Sequence, residues 1–352
     1  MTKKNIVHVV GTGTIGEPLI GFFTDFKEKW GIDEVTFHKR TPAAQDRPMV
    51  NYLIARGASL VADDAARDEF ARLGHRVAYT TEEALERATV VVDCTPAGND
   101  NKAKYYERIK GPKGYLAQGS EFGFGKPYAR GINEEVQSPD DRFVQIVSCN
   151  THNISVLIKT LGTSDSKMSL GAGRFVCMRR ANDVSDTKSF IAAPEVGKHD
   201  DPDFGTHHAR DAYHVFQTLG EKLNLFSSTI KLPTQYMHTI WFDLDLKHDT
   251  TLEEVKAALR NNPRVACTQK RAANQVFSFG RDHGYFGRIL SQTVIPVSTL
   301  SVPNPKKIVG FCYTPQDGNS LLSSIAATLR YLDASKLEER LDVLRPYIFR
   351  EL

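Results

Sequence analysis

The first half of the chain alternates short apolar runs with segments whose apolar residues recur every three or four positions. That pattern belongs to a parallel sheet with crossover helices. Ile6-Val-His-Val-Val10 reads as a buried strand, and Ile15, Leu19, Phe22 and Phe26 place a helix directly after it. A second strand is predicted near Val35 to His38 and another near Arg76 to Tyr79, followed by a helix opened by the capping pair Thr80 and Glu83. Val90 to Val92 leads into Asp93-Cys-Thr-Pro96, where proline ends the strand; a helix and a strand closing at Gln118-Gly119 come next. Phe143 to Val147 is one more apolar run. Ile154, Leu157, Ile158 and Leu161 then share one helical face, so Cys149 sits at a strand-to-helix junction.

Beyond that junction the texture changes. Met168 to Arg180 and His238 to Leu246 read as long strands, the latter alternating through Ile240, Phe242, Leu244 and Leu246. Such strands suit a second domain with a mixed or antiparallel sheet. The polar stretch Lys188 to Thr206 reads as a loop, and Leu321 to Leu332 with Ser335 to Leu344 as two helices or one kinked helix.

At 352 residues the chain exceeds what one hydrophobic core usually serves, so two domains are expected. A net charge of +3 is too small to imply nucleic acid or a membrane surface, although a local cationic pocket for a small anion is compatible with it. There is no apolar run of about 18 residues, and Ile6 to Val10 is too short for a signal-peptide core. The five cysteines (94, 149, 177, 267 and 312) are widely spaced, without a C-x-x-C pair, which argues against a disulfide framework and a zinc site. A reduced, cytosolic protein is expected.

Gly11-Thr-Gly13-Thr-Ile-Gly16 lies between a predicted strand and a predicted helix. Glycines there allow a tight turn and close approach of a pyrophosphate to the helix N-terminus, so a Rossmann-type dinucleotide site is expected at Gly11, Gly13 and Gly16. The second strand ends in His38-Lys39-Arg40-Thr41 with no acid where NAD-binding chains usually carry one. Lys39, Arg40 and Thr41 suit a 2′-phosphate, which predicts NADP, with NAD as the alternative cofactor and a solvated basic turn as the bland reading. A thiol at position 149 meets the positive end of a helix dipole, which lowers its pKa, and the N–H groups of Cys149 and Asn150 suit an oxyanion. Cys94, Cys177 and Cys312 read as core residues. His207-His208 makes a poor metal site without a nearby cysteine or carboxylate pattern, so no metal is expected.

Several pieces together resemble the archaeal-type (type II) glyceraldehyde-3-phosphate dehydrogenases. They are Gly13-Thr-Ile-Gly16, Val91-Val-Asp-Cys-Thr-Pro96 with Gly98, Gln118-Gly119, Val147-Ser-Cys-Asn-Thr151, Arg179-Arg-Ala181 with Asp183, His207-His208 and Met237-His238. The resemblance implies a dinucleotide-binding domain over residues 1–148, completed by a C-terminal helical segment (317–352), and an α+β catalytic domain over 149–316. It implies Cys149 as nucleophile and His238 as base, with His208 and His152 as alternatives for the base, and Asn150, Thr151, His207, His208 and Arg179 around the substrate. Thr14, Ile15, Gly119 and Gln316 would touch the dinucleotide, and Arg180 would line its side of the site. A phosphorylated aldehyde and inorganic phosphate would be the small-molecule partners, and a homotetramer the assembly. The family commonly continues its Ser-Cys-Asn-Thr with Thr-Gly, whereas this chain has His152-Asn153, and Ala209-Arg-Asp211 replaces Gly-Pro-Asp. Those departures bear on the substrate. The alternatives are another thiol-dependent aldehyde or acyl-phosphate oxidoreductase, acting on a semialdehyde or a different sugar phosphate, and a non-catalytic NADP-binding regulator.

Overall fold

A computed structural model describes residues 4–119, 121–183, 190–315 and 317–352. The chain divides into two compact units: 1–126 with 137–146 and 323–343, and 127–136 with 147–322 and 344–352. This differs from a break at 148 with all of 317–352 in the first domain. Residues 127–136, 317–322 and 344–352 group with the second unit; the chain end, for instance, bonds back to Cys267 through Arg350 and Leu352.

The first unit is built on strands β1 (Ile6–Val10), β2 (Glu34–His38), β3 (Ser59–Val61), β4 (Val90–Asp93), β5 (Gly114–Gln118), β6 (Lys126–Tyr128) and β7 (Phe143–Ile146). Their order is β3-β2-β1-β4-β5-β7-β6, and every pair from β3 to β7 is parallel. Strands β1, β4 and β5 are buried along their whole length, which is why they read as unbroken apolar runs. The strand expected at Arg76 to Tyr79 is absent. That segment lies at the sheet edge, half-exposed, joined to Val61 by one bridge at Tyr79, while the true third strand is the three-residue Ser59–Val61. Thr80 and Glu83 do form the reciprocal capping box opening the helix Thr81–Arg87.

The second unit carries β8 (Thr163–Ser164) and β9 (Lys167–Met168), a small hairpin, and an eight-stranded sheet. Its strands are β10 (Leu170–Arg179), β11 (Glu195–Val196), β12 (Leu225–Lys231), β13 (Thr239–Leu246), β14 (Val265–Thr268), β15 (Thr293–Pro296), β16 (Ser301–Asn304) and β17 (Lys307–Tyr313). The sheet is mixed: β10 runs parallel to β12 and antiparallel to β13, which pairs antiparallel with β17. Alternate residues Ile240, Phe242, Leu244 and Leu246 of β13 are buried in one core with Ile154, Leu157, Ile158 and Leu161. Burying four such side chains contributes roughly 1.5–3 kcal/mol each, and it presses the helix Cys149–Leu161 against the sheet. That fixes where the helix begins. Among the described residues no helix is long and apolar enough to cross a membrane.

Candidate functional site

In the first unit, chemistry collects at the carboxyl ends of β1, β2 and β4, where ligands of parallel sheets bind. Gly11 follows β1 with φ +93°, a conformation that disfavours any side chain. A Cβ at Gly16 would lie 2.0 Å from the Gly11 carbonyl oxygen, so the turn closes only with glycine there. On the other side, a Cβ at Gly13 would meet no atom within 4 Å. The turn is thus tight inside and open outside, just before the ten-residue helix Gly16–Asp25 at whose start Thr14 and Ile15 stand. A cleft of about 430 Å³ beside it is lined by Gly11, Thr12, His38, Lys39, Arg40, Thr41, Asp63, Thr95, Pro96 and Tyr105 among others. This arrangement fits a dinucleotide: open backbone for a pyrophosphate, and cations and hydroxyls at the end of β2 for the ribose side.

The cations there are not equivalent. The Lys39 ammonium is mostly buried and pairs with Asp46 at 2.6 Å, whereas Arg40 is exposed and makes no ion pair among the described residues. The cleft also contains an acid: Asp63 accepts from the Thr81 hydroxyl and lies 3.5 Å from His38 Nε2. Burial depresses the His38 pKa, partly offset by Asp63. Gly119 has φ +72°; its N–H donates to Ile146 and its carbonyl accepts from Gln145. Gln316 lies outside the described residues.

In the second unit, Ser148 caps the helix Cys149–Leu161, its hydroxyl accepting from the Thr151 N–H, so Cys149 is the first helical residue. The residue is partly exposed, and its sulfur stands 3.9 Å from His238 Nδ1. Asn319 Nδ2 donates to the Cys149 carbonyl at 2.9 Å and ties the first turn of the helix Gly318–Asp333 to the start of this one. His238 Nδ1 is also 3.0 Å from Asn150 Oδ1, and Asn150 Nδ2 is 3.5 Å from His208 Nε2. Of the expected site residues, His238 and Asn150 meet at the thiol, and His208 reaches it only through Asn150.

The expected low thiol pKa is not what this site produces. Burial, then the Asp317 carboxylate, push the Cys149 pKa up to about 12, against the pull of the Arg180 guanidinium and the Asn150 N–H. The helix terminus supplies a favourable field, but desolvation and a nearby anion outweigh it. The resting thiol is protonated. His238 is neutral, its pKa lowered to about 3 by burial and by Arg180.

A second cleft of this unit, about 410 Å³, is lined by Arg179, Lys198, His207 and Arg210 with Thr206, Thr229 and Asp201 among others. Burial, and after it Arg179 and Arg210, lower the His207 pKa to about 4; the lining sets the cations Arg179, Lys198 and Arg210 against the carboxylates of Asp200 and Asp201. Among the described residues no cluster of His, Cys, Asp or Glu is placed to hold a metal ion.

The glyceraldehyde 3-phosphate dehydrogenase C-terminal domain matches residues 148–295, the segment that contains the thiol, His207, His208 and His238. The chain is 28% identical over 229 residues to glyceraldehyde-3-phosphate dehydrogenase 1 of Methanosarcina barkeri, covering 64% of this chain and 65% of that protein. Over these matched stretches the chain is similar to archaeal glyceraldehyde-3-phosphate dehydrogenases. Identity is 30% over 199 residues to the Archaeoglobus fulgidus glyceraldehyde-3-phosphate dehydrogenase, covering 56% of this chain and 55% of that protein. It is 26% over 298 residues to a second Methanosarcina barkeri protein of that name, covering 81% and 80%. The matched stretch thus spans under two thirds of the first two relatives' own length.

Against the family expectation, two side chains are differently employed. Arg180 does not project into an open site: its guanidinium is buried, pairing with Asp183 at 2.7 Å and Asp317 at 3.2 Å. Thr151 is fully buried, its hydroxyl 2.9 Å from that of Ser148, and so serves the helix cap. Sequence reasoning missed Thr314 and Asp317, between β17 and the next helix, and Asn319 in that helix's first turn; all three reach the thiol site. The signal for them was the dense polar stretch Thr314 to Asn319 between an apolar strand and an apolar helix.

Proposed function

We propose that this chain is a phosphorylating glyceraldehyde-3-phosphate dehydrogenase that prefers NADP and works through a thioester on Cys149. The observation that carries the reading is the grouping of a helix-start thiol, a neutral histidine and a cationic cleft within the family's C-terminal domain.

The Cys149 sulfur adds to the aldehyde carbon, a C–S bond forms, and the thiol proton ends on the former carbonyl oxygen as a hemithioacetal hydroxyl. Because Cys149 rests protonated, this step needs no prior ion pair; the N–H groups at the helix start stabilise negative charge on oxygen as it develops. A nicotinamide dinucleotide, when bound, supplies the hydride acceptor. His238, neutral at working pH, takes the hydroxyl proton as the carbon is oxidised to a thioester. Inorganic phosphate then attacks the thioester, the C–S bond breaks, and an acyl phosphate leaves with the thiol restored. Arg179, Lys198 and Arg210 offer the positive charge that phosphate groups require, with His207 beside them as a neutral hydrogen-bonding group. His208 stands behind Asn150 rather than beside the sulfur, and supports the substrate side through that amide.

For the cofactor, Arg40 is the cation available to a 2′-phosphate, assisted by the Thr41 hydroxyl, while Asp46 engages Lys39. The test is NADP reduction with glyceraldehyde 3-phosphate, with and without phosphate or arsenate. Turnover that requires both aldehyde and phosphate supports the reading; phosphate-independent turnover or turnover only with another aldehyde overturns it.

A further inference from the structure

Asn153, part of the His152-Asn153 departure from the family pattern, is fully buried one helical turn after the nucleophile. Its amide nevertheless joins a chain of hydrogen bonds that ends on His238. The Cys312 thiol donates to Asn153 Oδ1 at 3.2 Å, and Asn153 Nδ2 donates to Thr314 Oγ1 at 2.9 Å. The Thr314 hydroxyl, its oxygen already accepting, donates to Asn150 Oδ1 at 3.0 Å. Asn150 Oδ1 accepts only, so His238 Nδ1, 3.0 Å away, must carry the proton.

The chain has a direction, and Asn153 sets it. Burial pushes the Cys312 thiol up to about 12, so this sulfur stays protonated; its single proton goes to Asn153 Oδ1 at 3.2 Å, the shorter contact, rather than to the Ile240 carbonyl at 3.7 Å, while the Thr293 hydroxyl also faces the sulfur. That orients the Asn153 amide with oxygen toward sulfur and nitrogen toward Thr314. Each later partner has a single remaining choice. At the far end, Asn150 Nδ2 faces the Nε2 nitrogen of His208, consistent with the same direction.

We propose that Asn153 is a positioning residue for His238: through the Thr314 hydroxyl and the Asn150 amide it holds the imidazole with its proton on Nδ1 and leaves Nε2 to accept. In this state Nδ1–H faces both Asn150 and the Cys149 sulfur, stabilising negative charge on sulfur. Nε2, which has no hydrogen-bond partner among the described residues, is the nitrogen able to take the hydroxyl proton. The importance of this tautomer for turnover rests on the proposed function; the tautomer itself does not.

The test is a long-range ¹H–¹⁵N correlation spectrum of the full-length chain labelled in histidine, with His238 assigned through its Gln variant. The wild type is expected to show the Nδ1–H tautomer near pH 7.5 without any ligand. Asn153→Asp replaces the amide donor by an acceptor, so the Thr314 hydroxyl turns to the new carboxylate and Asn150 presents its nitrogen to Nδ1. The expected result is a switch to Nε2–H, with kcat lowered about tenfold or more and KM within about twofold, a fraction of what general-base catalysis contributes. Thr314→Val breaks the chain without changing its shape and should give mixed tautomers, while Thr314→Ser should restore the wild-type spectrum. An Nε2–H wild type, or an unchanged tautomer in Asn153→Asp or, should that variant not fold, in Thr314→Val, overturns the proposal. A wild type with the expected tautomer but no phosphate-dependent aldehyde oxidation sinks the functional reading and leaves the positioning role standing.

Discussion

Asp317 is the charge that most opposes ionisation of Cys149, and it can be removed with little disturbance. It is buried, pairs with Arg180 at 3.2 Å, and adopts φ +57°, a left-handed conformation that asparagine tolerates as well as aspartate does. Asp317→Asn therefore keeps shape, backbone and an acceptor for Arg180 while deleting one negative charge. Even at a separation of about 10 Å and an effective dielectric of about 20, a unit charge contributes roughly 1.7 kcal/mol, or a little over one pKa unit. The freed Arg180 charge acts in the same direction, so the thiol pKa is expected to fall from about 12 by about one to two units. The thiolate fraction near pH 8 then rises about tenfold to a hundredfold, and the lower nucleophilicity of a more acidic thiol takes back about half of that on a logarithmic scale. The net expectation is alkylation of Cys149 by iodoacetamide about three to ten times faster than in the wild type, with the pH–rate curve moved to lower pH. Peptide mapping assigns the labelled cysteine. An unchanged or slower rate, or a curve that does not move, would refute the account of what controls this thiol.

Three further outcomes follow from other parts of the molecule. Arg40→Ala should lower kcat/KM for NADP about tenfold or more, the worth of a charged hydrogen bond, and leave NAD turnover near its starting value; equal losses for both cofactors would contradict the role given to Arg40. Gly16→Ala places a Cβ 2.0 Å from the Gly11 carbonyl, and should weaken NADP binding measured by calorimetry at least about tenfold, the scale of one lost pyrophosphate contact; unaltered affinity would mean the turn does not cradle the cofactor. His8 is fully buried with its pKa lowered to about 3, so unfolding takes up a proton below about pH 6.5 and stability falls as pH drops toward 3. The loss is about 2 kcal/mol for this one residue by pH 5, so in urea melts His8→Gln should lose that much less stability than the wild type between pH 7 and 5, and an identical loss would count against it.

Much of the frame could be read from the sequence because local pattern and tertiary placement agree. Ile6 to Val10, the glycine turn and the helix after it form one continuous strand–turn–helix, and Phe143 to Leu161 another, so the places of Gly11, Gly16 and Cys149 at these junctions could be read from local pattern. The electrostatics were not legible in that way. A helix dipole gives the sign of one contribution to the Cys149 pKa; the opposing Asp317 is 168 positions away and reaches the thiol only because β17 pairs with β13. Arg180 shows the same limit: its neighbour Asp183 stood in plain view at i+3, but the second carboxylate that completes its neutralisation depends on the fold. Ser59–Val61 was missed because three residues carry too little alternation, and Arg76 to Tyr79 was favoured because apolar spacing cannot distinguish a strand from an edge segment with one bridge.

The central claim is that oxidation of the aldehyde proceeds on the Cys149 sulfur. It is tested most directly by mass spectrometry of the protein after brief exposure to glyceraldehyde 3-phosphate and NADP without phosphate, followed by peptide mapping. The account predicts an acyl group on the Cys149 peptide, discharged when phosphate is added and absent from Cys149→Ser. NADPH formed with no acylated Cys149, or with the acyl group on another residue, would contradict it.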